Sequence, residues 1–174
     1  MHNLSSTINL MKILQNKEYL RSVLFGIEDS LVSTTGLVAG ISIGADSKSI
    51  VLLAGFVGVA IEAVSMGAGE YLSDDAVKDL NRHKDERSNP LVSGLYMLVS
   101  YFVVGFIPIA PFIFLESPYS LIVSVSSALI SLFLLGYIKG TILKTSRFRS
   151  GIKIFLVGGV ATIIGLIVGV VLKI

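Results

Sequence analysis

The feature that most constrains this chain is a series of five long apolar stretches, separated by short segments that carry most of its charges. A helix needs about 20 predominantly apolar residues to cross the hydrocarbon core of a bilayer. Five stretches reach about that length, and they comprise residues 23–44, 50–72, 91–115, 119–138 and 152–172. The sequence therefore predicts an all-α membrane protein, with residues 23–172 forming a five-helix transmembrane domain.

The composition excludes a soluble domain of this size. Hydrophobic residues make up 53% of the 174 residues and charged residues only 15%, against roughly 45–50% and about 25% in soluble proteins. The chain contains no cysteine, which excludes disulfides and thiolate metal ligands. We expect a lipid bilayer around the protein and no nucleic-acid partner.

The basic residues predict how the chain is oriented. Of the 14 Lys and Arg residues, all except Lys48 and Lys173 lie before the first apolar stretch, in residues 73–90, or around the loop between the fourth and fifth stretches. Basic residues concentrate on the cytoplasmic side of membrane proteins. We therefore expect the N-terminus and the short loop of residues 73–90 in the cytoplasm, and the C-terminus outside.

Residues 1–22 form a separate segment that we expect in the cytoplasm. Lys12 interrupts any apolar core, which argues against a signal peptide. Four apolar side chains recur at helical spacing, namely Leu4, Ile8, Met11 and Leu14. This spacing is typical of an amphipathic helix on a membrane surface, although a frayed tail explains it equally well.

Carboxylates interrupt the first two apolar stretches. Glu28 and Asp29 lie in the first stretch, Glu62 lies in the second, and Glu70 lies near the predicted cytoplasmic end of the second. A central Asp costs about 2.5–3.5 kcal/mol on membrane-insertion scales, so such a residue needs a reason. Because no Lys or Arg lies deep in the apolar stretches, we expect protons, water or a bound cation to be the partners of Glu28, Asp29 and Glu62, whereas Glu70 could reach water.

Helical geometry aligns the acids with a methionine. Glu62, Met66 and Glu70 follow one another at intervals of four residues and therefore share a helix face. The rise per residue puts Met66 at about the depth of Asp29, and Glu62 near the midplane. Carboxylates combined with a thioether best fit Fe²⁺ or Mn²⁺. A carboxylate must lose its proton to bind a metal, so the two compete. Met66 as simple core packing, and a membrane Asp as the cap of a kinked helix, are the alternatives.

Two further patterns concern packing and metal capture. Gly36, Gly40 and Gly44 share a face with Asp29, which predicts close packing against another helix or a partner subunit. Gly165 and Gly169 offer a similar approach in the fifth stretch.

In the loop, acidic and imidazole groups recur every fourth residue, at Asp75, Asp79 and His83. They form either a metal-collecting patch or a solvated helix of mixed charge.

Four segments resemble the vacuolar iron transporter family. They are FGIEDSLVSTTGLVAG at residues 25–40, AVSMGAGEYLS at 63–73, GFIPIAPF at 105–112 and LVGGVA at 156–161. The resemblance extends over residues 20–172, with the motifs in the family's order. It implies a dimer that moves Fe²⁺, and often Mn²⁺, out of the cytosol in exchange for protons, along a pathway lined by the first two spans of each subunit.

The resemblance also implies roles for individual residues. Asp29 falls on the family's essential first-span acid, Met66 on its second-span methionine ligand, and Glu70 on the acid of a Gly-Glu-Tyr segment. The chain departs from the family at Ser30, where a glycine is usual, and at Glu62, where many members have a small residue. It is also a short form, since longer members insert an acidic metal-binding domain where this chain has only residues 73–90.

Together these observations predict a homodimeric proton antiporter that exports Fe²⁺ or Mn²⁺ and holds no permanent cofactor. Asp29 and Met66 would be metal ligands, Glu62 a midplane ligand or proton carrier, and Glu28 and Glu70 would attract cations at the entrance. A proton or other small-cation channel, or a membrane subunit without transport, is the alternative. An enzyme is not expected, because no nucleophile–base pair lies in the spans. We expect a cell membrane, or a vacuolar or other endomembrane in a eukaryote.

Overall fold

A computed structural model describes residues 17–45, 47–80 and 89–173 of the chain. Within them the regular structure is helical. The helices are α1 (Lys17–Gly44), α2 (Lys48–Leu80), α3 (Pro90–Val104), α4 (Phe106–Phe114), α5 (Tyr119–Ile142) and α6 (Arg147–Val171). With α3 and α4 as one span, five spans are long and apolar enough to cross a bilayer. The predicted five-helix membrane protein is confirmed, whereas the proposed amphipathic helix before residue 17 and His83 lie outside the described residues.

The outer surface of the bundle is apolar, as an integral membrane protein requires. On α6, Ile163, Ile164 and Ile167 are each 57% exposed in the isolated chain. Lipid acyl chains, rather than water, therefore cover these side chains in the folded protein.

The helices extend beyond the predicted apolar stretches. α1 begins at Lys17 rather than at residue 23, and α2 continues past residue 72 to Leu80. The 33 residues of α2 span about 50 Å, which exceeds the roughly 30 Å hydrocarbon core. Asp75 and Asp79 therefore lie on the polar end of α2, and the first part of the predicted loop is helical. Hydropathy finds only the portion of a helix that lipid covers.

The third span is interrupted at Gly105, between α3 and α4. Pro108 and Pro111 lack the backbone N–H that would continue the helical hydrogen bonding. A Cβ atom on Gly105 would lie 2.7 Å from Cγ2 of Val59 and 2.9 Å from Oγ of Ser30. Glycine is therefore required here because α1, α2 and the third span approach closely.

α1 is the central element of the bundle and contacts every other helix. α2 and α3 pack on it as one group and α5 and α6 as another, while α4 contacts α2, α3 and α5 as well. α2 contacts neither α5 nor α6 within the described residues. The predicted glycine face of α1 packs against α6 of the same chain. Gly36 faces Ala161, Gly40 faces Gly165 and Gly44 faces Gly169. Both predicted small-residue patterns thus belong to one helix contact, which we call the glycine seam.

We call the end of the bundle at which α1 begins the basic side, because Arg21, Lys78 and Lys139 lie there. α2 and α5 end on this side, whereas α3 and α6 begin there. The opposite side holds the end of α1 and the beginning of α2. This arrangement follows from the alternating direction of successive spans.

Candidate functional site

Three helices meet at a cluster of hydroxyl and carboxylate groups inside the bundle, formed by Ser33 of α1, Glu62 of α2 and Tyr101 of α3. The Tyr101 hydroxyl donates a hydrogen bond to Oε2 of Glu62, and Ser33 Oγ donates to the same oxygen at 3.0 Å. The two hydroxyl oxygens are 2.5 Å apart. We call these residues the three-helix cluster; they place a carboxylate between α1 and α3.

Two neighbours complete the surroundings of this cluster. Ser30 is fully buried, and its Oγ donates to the backbone oxygen of Tyr101 at 2.7 Å. Asp29 is partly buried and lies one helical turn before Ser33, the α1 residue that donates to Glu62. Asp29 and Glu62 therefore form a pair of acids on adjacent helices.

A cavity of about 350 Å³ opens near the basic side. Its wall combines acids and bases from three helices with the thioether of a fourth. The lining residues are Arg21, Ser22, Phe25, Glu28, Glu70, Met97 and Lys139. This cavity contains the two acids that the sequence predicts at the entrance, Glu28 and Glu70.

Both entrance acids are ion-paired. Arg21 Nη2 lies 3.0 Å from Oε1 of Glu70 and 3.4 Å from Oδ1 of Asp74, and Ser22 Oγ donates to the same Glu70 oxygen at 2.6 Å. Glu70 is thus held to α1 by a base and a hydroxyl.

The expectation that the membrane acids lack a basic partner is wrong for Glu28. Lys139 Nζ lies 3.4 Å from Oε2 of Glu28. Hydropathy predicts that Lys139 lies beside a loop, but it belongs to α5, and α5 contacts α1. A long lysine side chain can bury its stem while its ammonium reaches a polar site. Glu28 is therefore neutralised by another helix.

A second, smaller cavity of about 110 Å³ lies on the opposite side of the bundle. Ser42, Ser47 and Ser120 line it together with Lys48 and Glu116. Lys48 Nζ lies 2.7 Å from Oε1 of Glu116. We call this cavity the opposite mouth; serine hydroxyls line it, and its acid, Glu116, is paired with Lys48.

The predicted shared face of Glu62, Met66 and Glu70 is the side of α2 that points into the bundle. Glu62, Met66 and Glu70 are each partly buried, while Val64 and Ala68 between them are exposed. Glu62 and Glu70 both contact α1 side chains. Asp75 is partly buried and Asp79 exposed on the polar end of α2.

No group of three or more His, Asp or Glu side chains in residues 17–45, 47–80 and 89–173 could hold a metal ion. The sequence does not predict that four further residues line the cavities or contact the acids. They are Tyr101, Ser33, Lys139 and Met97. The prediction rests on the carboxylates inside the spans and on Met66 alone. A tyrosine within an apolar stretch was the available signal, since a buried phenol normally needs a hydrogen-bond partner.

The sequence matches the VIT family over residues 20–88 and 76–170. Vacuolar iron transporter 1 of Oryza sativa subsp. japonica is 25% identical over 206 aligned residues, covering 83% of this chain and 82% of the relative. Its namesake in Arabidopsis thaliana is 26% identical over the same length, covering 83% and 82%. These alignments exceed the 174 residues of the chain, so the relatives contain residues that this short form lacks.

A third relative is close in length to this chain. Vacuolar iron transporter homolog 1 of Arabidopsis thaliana is 25% identical over 179 residues, which cover 91% of this chain and 89% of the relative. The names of all three relatives are those of transporters, in agreement with the prediction that the protein is not an enzyme. Because the family match extends over nearly all of the five-span bundle, the chain belongs to the VIT family.

Proposed function

We propose that this protein is a transporter that moves Fe²⁺, Mn²⁺ or both out of the cytosol in exchange for protons. The observation that carries the proposal is the pair of acids Asp29 and Glu62 on adjacent membrane helices. Among the described residues neither acid has a basic partner, unlike Glu28 and Glu70. Relatives named vacuolar iron transporters support a metal as the cargo.

The chemistry of the pair favours a divalent cation that competes with protons. Two carboxylates in a medium of low dielectric constant repel each other unless a cation or a proton lies between them. Met66 adds a thioether at a similar depth, which shifts the preference from Ca²⁺ and Mg²⁺ towards Fe²⁺ and Mn²⁺. Because metal binding releases a carboxyl proton, a cycle that alternates the two cargoes is an antiport.

The two cavities suggest a route past the acid pair. A cation entering from the basic side first meets the carboxylates of Glu70 and Glu28. To bind their oxygens, it must displace the side chains of Arg21 and Lys139. It then passes Asp29, Met66 and Glu62, and leaves towards the serine hydroxyls of the opposite mouth. The distribution of basic residues favours a cytoplasmic location for the basic side. Export would then run from the cavity near the basic side to the opposite mouth, with protons moving the other way.

A second copy of the chain would complete the metal site. One chain provides Asp29, Glu62 and Met66 but no group of three acids. The exposed face of α2 carries small residues, among them Ser65, Ala68 and Gly69. A Cβ atom on Gly69 would meet nothing within 4 Å. We therefore propose a homodimer in which this face packs on its partner and the two acid pairs share the cation.

The test is transport by the purified protein in liposomes. We expect Mn²⁺ and Fe²⁺ to accumulate when the compartment that receives the metal is acidic, with protons moving in the opposite direction. D29N should reduce the rate at least about tenfold, because a lost charge-assisted contact is worth roughly 1.5–3 kcal/mol. E18Q is the matched control, since it removes an exposed acid from the first turn of the same helix. Equal transport by wild type and D29N would contradict the role of Asp29, and proton flux without metal transport would favour the channel alternative.

A further inference from the structure

The two positions at which the membrane-embedded sequence departs from the family pattern contact the same residue. Ser30 donates to the backbone oxygen of Tyr101, and Glu62 accepts from the hydroxyl of Tyr101. Tyr101 is fully buried. The side chain and the backbone of one tyrosine are therefore fixed by two residues from different helices.

The hydrogen bonds on Glu62 are unequally distributed. Within the described residues, the bonds from Tyr101 and Ser33 both fall on Oε2. The position of Tyr101 is fixed, because Ser30 of α1 donates to its backbone oxygen. The close approach of Gly105 to Val59 also packs the end of α3 against α2. Only Oε1 of Glu62 is left to face a cation.

A carboxylate with one engaged oxygen discriminates between cations by size. Ca²⁺ takes six to eight oxygen ligands and frequently binds both oxygens of a carboxylate. Smaller divalent cations of the first transition row accept fewer ligands, and a single carboxylate oxygen satisfies one of their positions. Occupying Oε2 therefore penalises Ca²⁺ more than Mn²⁺ or Fe²⁺.

We propose that Tyr101 and Ser33 are specificity-determining residues, because their hydroxyls hold Oε2 of Glu62 and make this carboxylate a one-oxygen ligand that disfavours Ca²⁺. The inference rests on the proposed function, since it assumes that a divalent cation passes Glu62. It adds a means by which a short form with an additional carboxylate would discriminate against Ca²⁺.

The experiment compares Ca²⁺ with Mn²⁺ in the same liposomes. The measured quantities are the Mn²⁺ concentration for half-maximal transport and the Ca²⁺ concentration that halves Mn²⁺ transport. In Y101F, Oε2 loses its donor from the phenol, and we expect the ratio of the Ca²⁺ to the Mn²⁺ value to fall by roughly fivefold. S33A should shift the ratio in the same direction and provides the test if Y101F does not fold.

Two controls separate selectivity from general damage. Y137F removes a hydroxyl from a ring that is 41% exposed, and the ratio should stay at the wild-type value. In an E62Q background, Y101F should change the ratio no further, because the carboxylate through which it acts is gone. The Tm increase caused by Mn²⁺ or Ca²⁺ gives the same comparison without transport, since selective binding raises Tm.

The outcomes distinguish this inference from the function on which it rests. A wild-type protein that neither transports nor binds Mn²⁺ or Fe²⁺ overturns the proposed function. A second outcome is that wild type transports Mn²⁺ while Y101F and S33A change the half-maximal Mn²⁺ concentration and the inhibitory Ca²⁺ concentration by the same factor. In that case only the selectivity inference is wrong. A shift of the ratio that persists in the E62Q background also overturns it, since Tyr101 would then act elsewhere.

Discussion

At the scale of residues, the membrane acids differ in how their charge is balanced. Glu28 and Glu70 each have a basic partner from another helix, whereas hydroxyls surround Glu62. A partly buried ion pair repays much of the desolvation of its members, but hydroxyl donors leave the net charge in place. Glu62 and its neighbour Asp29 therefore need a cation or protons, while Glu28 and Glu70 are stable without either.

Met66 provides the prediction at this scale. M66L keeps the apolar volume but removes the thioether sulfur, so we expect Fe²⁺ transport to fall by about tenfold while proton leakage is unchanged. I163L is the control for a conservative substitution within a span, because Ile163 is 57% exposed on α6 and lines neither cavity. The measurement is initial Fe²⁺ uptake into liposomes under anaerobic conditions. Unchanged uptake by M66L would assign Met66 to packing.

At the scale of elements, the glycine seam joins α6 to the central helix α1. Gly36, Gly40 and Gly44 approach the α6 backbone directly, and the Cβ of an alanine at position 40 would lie 2.6 Å from the Gly165 oxygen. Lipid tails are as apolar as leucine side chains, so membrane helices associate through close backbone packing rather than through a hydrophobic driving force. The seam is therefore the main contact that fixes α6 on α1.

Substitution in the seam should destabilise the bundle. G40A forces two backbones apart, and we expect it to lower the free energy of unfolding by about 1–3 kcal/mol. G159A is the control on α6, because a Cβ atom there meets nothing within 4 Å and alanine is the better helix former. Thermal unfolding in detergent measures both variants. Equal Tm values for G40A and wild type would show that the seam tolerates an added methyl group.

At the scale of the whole molecule, the arrangement of helices leaves α2 with an open side. α2 packs on α1, α3 and α4 and has no described contact with α5 or α6. Its open side combines large apolar residues with Ser65, Ala68 and Gly69. Small residues permit the close approach that a membrane dimer requires, and a dimer here would bring the acid pairs of two chains near each other.

The absence of cysteine from the sequence makes this dimer directly testable. A68C introduces a single thiol on the open side of α2, and we expect oxidation in membranes to yield a disulfide-linked dimer, since two equivalent Cβ atoms near a twofold axis can come within bonding range. I164C is the matched control on the exposed face of α6, where we expect only monomer. The readout is a non-reducing gel. Dimers from I164C but not from A68C would place the interface on α6 instead.

The sequence alone determined which segments are membrane helices and which side chains share a face of each helix, because hydropathy and the 3.6-residue period act within a single helix. It also identified Asp29, Glu62 and the glycines as exceptional. Only the tertiary structure decided what those residues contact. Glu62 meets a tyrosine 39 positions away, and Glu28 meets a lysine 111 positions away. Such pairings depend on how α1 packs against its neighbours, and no local pattern records that packing.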